Sequence, residues 1–176
     1  MTAEWIAPDV ERTEAENVAP ERKAMEDLLE YHRATLLWKC AGLTGKQLAR
    51  RSVPPSSMSL LGLVRHMAEV ERVWFRDRVA GEDVGRVYGP WDTDFDDADA
   101  AGAEADFATY AAEVDAARAI LAAKDYDDTF VIHRRDGSGE TIIDIRALVL
   151  HMIEEYARHN GHADLLREAV DGSTGD

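Results

Sequence analysis

Apolar residues recur along this chain with a helical period in four long stretches, separated by polar, Gly- or Pro-bearing segments. In the first, from Glu21 to about Leu43, Met25, Leu28, Leu29, His32, Leu36 and Cys40 follow the i, i+3, i+4 rule and share one face. Pro20 stands where a helix tolerates proline, and Gly42 and Gly45 close the segment. Pro54-Pro55 keeps the connection over 44–57 from being helical. The second stretch, capped by Ser57 or Ser59, runs to about Ala80, where Gly81 stops it. Its stripe is Leu60, Leu63, Met67, Val70 and Trp74, with Arg65, Glu69, Arg72 and Arg76 on the opposite face. A third helix is predicted from Ala103 to Lys124, with Phe107, Tyr110, Ala111, Val114 and Leu121 on one side, and a fourth from Asp144 to Ala169. Between them, Thr129–His133 and Glu140–Ile143 flank a Gly-containing turn and read as a β-hairpin.

This order predicts an all-α fold, a four-helix bundle with a short β-hairpin inserted before the last helix. Residues 1–19 are expected to form an irregular arm, 20–172 a single domain, and 173–176 a flexible tail. The loop over 81–100 carries the acidic run Asp92, Asp94, Asp96, Asp97 and Asp99, which reads as solvated surface.

The fourth helix breaks its own pattern. Its apolar stripe is Ile145, Leu148, Met152, Tyr156, Ala163 and Leu166, and His159 falls inside it, with Glu155 and His162 on its edge. A carboxylate placed against a core without a partner costs at least several kcal/mol, so something must compensate. The charges Glu154, Arg158, Asp164 and Glu168 lie off the stripe, so the inward polar set is selective. His66 lies between Leu63 and Val70, and His32 between Leu29 and Leu36, also on apolar faces.

Two readings follow. Inward histidines are commonly satisfied core residues, and Glu155 with His159 could form a simple intrahelical pair. Alternatively, Glu155 and His159, at i and i+4 and about 6 Å apart, join His66 in a three-ligand site for a divalent ion. A His₂-carboxylate set suits zinc first, with nickel and iron as alternatives. His159 with His162 is a competing pair at i, i+3. His151 cannot share an ion with His159, because eight residues of helix span roughly 12 Å.

The remaining composition narrows the partners. The chain has 176 residues, with 35 Asp and Glu against 20 Lys and Arg, a formal net charge of −15. Such a surface argues against nucleic acid and against anionic membranes. Apolar runs are too short to span a bilayer, and Met1–Trp5 does not open a secretory signal, so the cytoplasm is expected. The single cysteine, Cys40, excludes an internal disulfide and reads as a small core residue. The glycines at 137 and 139 lack the context and lysine of a phosphate loop.

Ser59-Leu-Leu-Gly-Leu-Val-Arg-His66-Met-Ala-Glu-Val-Glu71 with Trp74, and His151-Met-Ile-Glu-Glu155-Tyr-Ala-Arg-His159-Asn-Gly-His162, resemble the DinB-like superfamily. The likeness covers roughly residues 20–172 and is nearest to an actinobacterial, mini-circle-type branch; it is similar in fold to the mycothiol-dependent maleylpyruvate isomerases. The resemblance implies a four-helix bundle whose divalent metal is bound by one histidine of the second helix, here His66, and two ligands of the last, here Glu155 and His159. Many relatives carry histidine at the Glu155 position, but the maleylpyruvate isomerases carry glutamate. The superfamily's second ligand usually precedes an Arg-Gly-Gln-like tripeptide; here His159 precedes Asn-Gly-His, so His162 stands in place of the glutamine. The resemblance also implies a metal-dependent thiol S-transferase or isomerase, with mycothiol as cosubstrate and a small electrophile as substrate. His162 and His32 are the candidates to relay a proton. A metal-dependent hydrolase and a non-catalytic bundle stand as alternatives, and an apolar helix face left over in so small a bundle would allow a homodimer.

Overall fold

A computed structural model describes residues 4–90, 93–133, 137 and 139–175. The starting residues Met1–Ala3, Asp92 of the acidic run, Arg134–Asp136 and Ser138 of the predicted turn, and Asp176 of the tail lie outside the described residues.

Four long helices form the bundle: α1 (Glu21–Cys40), α3 (Leu60–Glu71), α5 (Ala103–Ala122) and α6 (Ile145–Asp171). Two single-turn helices, α2 (Gly45–Leu48) and α4 (Thr93–Asp96), and a 3₁₀ turn at Ala100–Gly102 sit in the connections. The hairpin precedes α6, with β1 (Thr129–His133) antiparallel to β2 (Glu140–Asp144) and Val131 opposite Ile142. The principal packing pairs are α1 on α6 and α3 on α5. Among the described residues no helix is long and apolar enough to cross a membrane.

Local chemistry explains the boundaries. Ser59 is the residue that caps α3, its hydroxyl accepting from Gly62 N at 3.1 Å. Asp144 ends the hairpin and caps α6, accepting from Ala147 N at 2.7 Å. Gly172, with φ 80°, ends α6 in the left-handed conformation that glycine adopts without strain. The irregular arm is packed: Ala7 exchanges backbone hydrogen bonds with Leu43 O (2.9 Å) and Gly42 N (3.0 Å), and Trp5 meets Phe107 edge-on.

Two expectations change. The second helix is not α-helical throughout: from Arg72 to Val79 it continues as a π-helix. Nor is its Arg65/Glu69 face an outer one, because Tyr88, Thr93 and Asp94 of the following connection pack against it. Arg65 donates to Asp94 O at 2.8 Å and to both Asp106 carboxylate oxygens at 3.3 Å, with its guanidinium 3.9 Å from the Tyr88 ring centre. Glu69 accepts from Tyr88 N at 2.8 Å. Thus α3 is buried on most of its circumference, its polar side paired with the following connection and with Asp106 of α5, while Glu69 Oε2 has no hydrogen-bond partner among the described residues.

Candidate functional site

The site lies where α6 passes α3. Leu148, Met152, Tyr156, Ala163 and Leu166 of α6 are buried and fix which face turns inward. That face carries His159, which is buried, and Glu155 and His162, which are half-buried. From α3, His66 turns to the same spot, its ring centre 4.7 Å from that of His159. One ligand atom each from His66, Glu155 and His159 lies within 4.8 Å of the others. Two nitrogen donors and one carboxylate from two helices make a set that a divalent transition metal accepts.

Both imidazoles are held from their Nδ1 side. His66 Nδ1–H donates to Asp94 Oδ2 at 2.8 Å, which leaves Nε2 as the lone-pair nitrogen. His159 and His162 meet Nδ1 to Nδ1 at 3.3 Å, while His159 Nε2 faces Glu155 Oε2 at 3.6 Å. Burial raises the Asp94 carboxyl, but the hydrogen bond from His66, the His66 charge when that ring is protonated, and backbone N–H donors including Phe95 together outweigh it and hold Asp94 below its ordinary value. Burial, then repulsion from His66, His162 and Arg158, pushes His159 down to about 4 against a weaker pull from Asp94. At neutral pH His159 is therefore the uncharged imidazole that a metal needs.

Asp94 is the residue the sequence reading missed. It belonged to a run taken as solvated surface, yet it is 8% exposed. Its place depends on α4 coming close to α3. Phe95 stacks on the His66 ring at 4.9 Å between centres, and a Cβ at Gly62 would lie 3.1 Å from Phe95 Cδ1. Glycine at 62 is what admits this approach, and a glycine inside an otherwise apolar helix was the available signal.

The other singled-out residues take various positions. His151 is one turn before Glu155, its Nε2 3.8 Å from Glu155 Oε1, and lies against the Trp74 ring. His32 stands apart from the three donors, its Nδ1 3.4 Å from Asn160 Nδ2, and burial lowers its pKa. Cys40 is fully buried, and burial pushes its thiol up to about 12 against a weaker pull from Arg167. It cannot serve as a nucleophile at neutral pH, so any reacting thiol comes from outside the chain.

A second polar cluster crosses the bundle core and was not anticipated. Arg33 of α1 grips Glu71 of α3 with two hydrogen bonds, of 2.8 and 2.7 Å. Tyr156 of α6 donates to the same carboxylate at 2.7 Å, and its oxygen lies 2.9 Å from Tyr110 Oη of α5. One member from each long helix fixes the relative rotation of all four, including the rotation that turns His159 toward His66.

Fold and site together define a DinB-like helical bundle with a His₂-carboxylate cluster. Within that class the chain belongs to the mycothiol-S-transferase family, whose sequence model matches residues 24–172. No curated protein matches the chain.

Proposed function

We propose that this protein is a divalent-metal-dependent S-transferase that joins the sulfur of mycothiol to small electrophiles in the cytoplasm. The observation that carries the reading is the convergence of His66, Glu155 and His159, with ligand atoms within 4.8 Å of one another and Asp94 behind His66. A divalent ion held there, zinc first among the candidates, would supply Lewis acidity that lowers a bound thiol's pKa toward neutrality. Everything else is done by the chain. Asp94 fixes the His66 tautomer, and Glu155 offsets the ion's charge. His159 arrives neutral, so no proton need be displaced at pH 7. His162 accepts from His159 at Nδ1 and holds its own proton at Nε2, for a leaving atom that needs one. His32 acts through Asn160, the neighbour of His159, as a positioning residue. The soft nucleophile is exogenous, because Cys40 is sealed in the core.

The test is elemental analysis of protein purified without chelator or nickel resin, beside a His66→Ala/His159→Ala variant, with mycothiol consumption measured against 1-chloro-2,4-dinitrobenzene. About one divalent ion per chain, absent from the variant, with thiol loss that follows the metal, is the expected result. Failure to bind metal after reconstitution would overturn the reading in favour of a non-catalytic bundle. Turnover that needs no thiol would replace it with a metal-dependent hydrolase.

A further inference from the structure

A cavity of about 350 Å³ opens between the hairpin and the start of α6, lined by Trp74, Ile142, Ile143, Ala147, Leu148 and His151. Building on the thiol-transferase reading, we infer that this cavity receives the electrophile, and that the electrophile is an apolar, planar aromatic compound.

Three observations carry this. The first is proximity: His151 forms part of the cavity wall, and its Nε2 lies 3.8 Å from Glu155 Oε1. A molecule in the cavity therefore lies one residue away from the donor cluster. Cavities of similar or larger size carry more charge on their walls: one has Arg72, Asp77, Arg78 and Arg86 beside Val131 and Ile132, one has Glu30, Arg33 and Arg118 beside Leu37 and Val114, and one has Glu4, Lys46 and Asp99 beside Trp5.

The second is the polar inventory. Besides His151 and the Trp74 indole N–H, the wall's polar side chain is Asp144, whose Oδ1 caps α6 at Ala147 N and whose Oδ2 lies 3.8 Å from Arg146 Nη1. A polyol thiol such as mycothiol would have to give up water from many hydroxyls here and find few partners, at a cost for each. An aromatic ring loses little hydration, and one polar substituent can meet His151. The cavity thus selects the electrophile over the thiol.

Shape is the third. The π-helical stretch carries Trp74, whose ring centre is 4.5 Å from that of His151 at an interplanar angle of 56°. Phe130 of β1 meets Trp74 edge-on at 85°. A π-helical turn widens the helix and re-aims its side chains, and such turns are frequent at functional sites. Opposite, Ile142 is 70% exposed, an apolar residue left in solvent at the lip. Arg78 lies over the Trp74 indole, its guanidinium carbon 4.0 Å from the ring centre, so a planar compound meets the part of the indole that lines the cavity, with Ile142 at the lip. In the transfer itself a thiolate sulfur bonds to the ring carbon that bears the leaving group. With a chloro-dinitrobenzene the C–Cl bond breaks, chloride leaves, the thiol proton goes to solvent, and nothing is oxidised or reduced.

The test separates binding from turnover. 1,3-Dinitrobenzene, which has the ring but no leaving group, is titrated into the full-length protein while side-chain methyl NMR shifts are followed. Ile142, Ile143, Ala147 and Leu148 should shift, and Ile142→Asp, a change at an exposed position that spares the fold, should abolish the effect. In turnover, Ile142→Asp should raise KM for 1-chloro-2,4-dinitrobenzene about tenfold, the scale of one lost apolar contact in a pocket. Its rate with iodoacetamide, which has no ring, should fall by less than its rate with the chloro compound. Metal-dependent turnover of the chloro compound without dinitrobenzene shifts in the cavity would overturn the cavity assignment alone. Equal losses with both electrophiles would do the same. Cavity shifts with no thiol-dependent turnover of any electrophile would instead overturn the transferase reading, and with it the ring's role as substrate.

Discussion

Asp94→Asn is the sharpest probe of the site, because it changes one charge and almost no volume. The carboxylate accepts from His66 Nδ1 at 2.8 Å and from its own neighbour Phe95 N at 3.1 Å, and an amide oxygen can keep either contact. What it cannot keep is the negative charge that makes the imidazole a better electron donor at Nε2. Carboxylates behind ligating histidines typically account for about 10–100-fold in metal affinity, or about 1.4–2.7 kcal/mol. Asp94→Asn should therefore weaken zinc binding by a factor in that range, and Asp94→Ala by at least as much, since it also frees the ring to rotate. Asp97→Asn is the control: it removes the same charge from the same acidic run at an exposed position. Affinity is read by competition with a chromophoric chelator, and circular dichroism checks that the bundle persists. If Asp94→Asn and Asp94→Ala bind zinc as the wild type does, His66 is not a ligand oriented by Asp94, and the tautomer argument fails. If Asp97→Asn weakens binding equally, the effect is general electrostatics rather than the hydrogen bond.

Glu71→Ala should cost about 3 kcal/mol of stability by urea unfolding, the low end for a broken buried pair, because it takes from the buried Arg33 guanidinium the carboxylate that holds it by two bonds and leaves it Glu30 at 2.6 Å, whereas Tyr110→Phe should cost about 1 kcal/mol; a Glu71→Ala loss no larger than that of Tyr110→Phe would show that the cluster does not hold the bundle. In metal-free protein, burial holds His159 down at about 4 when folded, against the ordinary imidazole value of about 6.5 when unfolded, so between those values the unfolded chain binds the extra proton. Stability should therefore be full above pH 6.5 and fall as pH drops toward 4, by at most roughly 3 kcal/mol from this residue, with burial of His32 adding in the same direction; His159→Gln should flatten the slope, and an unchanged slope would refute the assignment.

Much of the molecule could be read from its periodicity. The bundle, the hairpin and the inward set of His66, Glu155 and His159 follow from which positions an apolar stripe includes, and that is local information. What escaped notice depends on contacts between segments with no fixed spacing. Asp94 is 28 residues from His66, Glu71 is 38 from Arg33, and Tyr156 is 85 from Glu71. Glu71 and Arg33 lie beside their helices' apolar stripes, where charges commonly reach water, and only the arrival of Tyr156 and Tyr110 buries them. The π-helical stretch is equally silent, because its residues would also satisfy an α-helix.

One physical requirement connects the legible and the illegible parts. An inward histidine can be a ligand only if its second nitrogen has a partner; otherwise the ring turns or protonates. A periodic stripe reveals the histidine and never the partner, which another segment supplies. Here the two partners differ in charge. Asp94 gives His66 an anionic one, and His162 gives His159 a neutral one. His66 is therefore the more strongly donating of the two imidazoles, and the asymmetry has a consequence for the variants. His162→Ala should weaken metal binding less than Asp94→Ala, since it removes orientation without removing charge. The same chelator competition measures both, and the reverse order would mean that orientation of His159, rather than the basicity of His66, limits affinity.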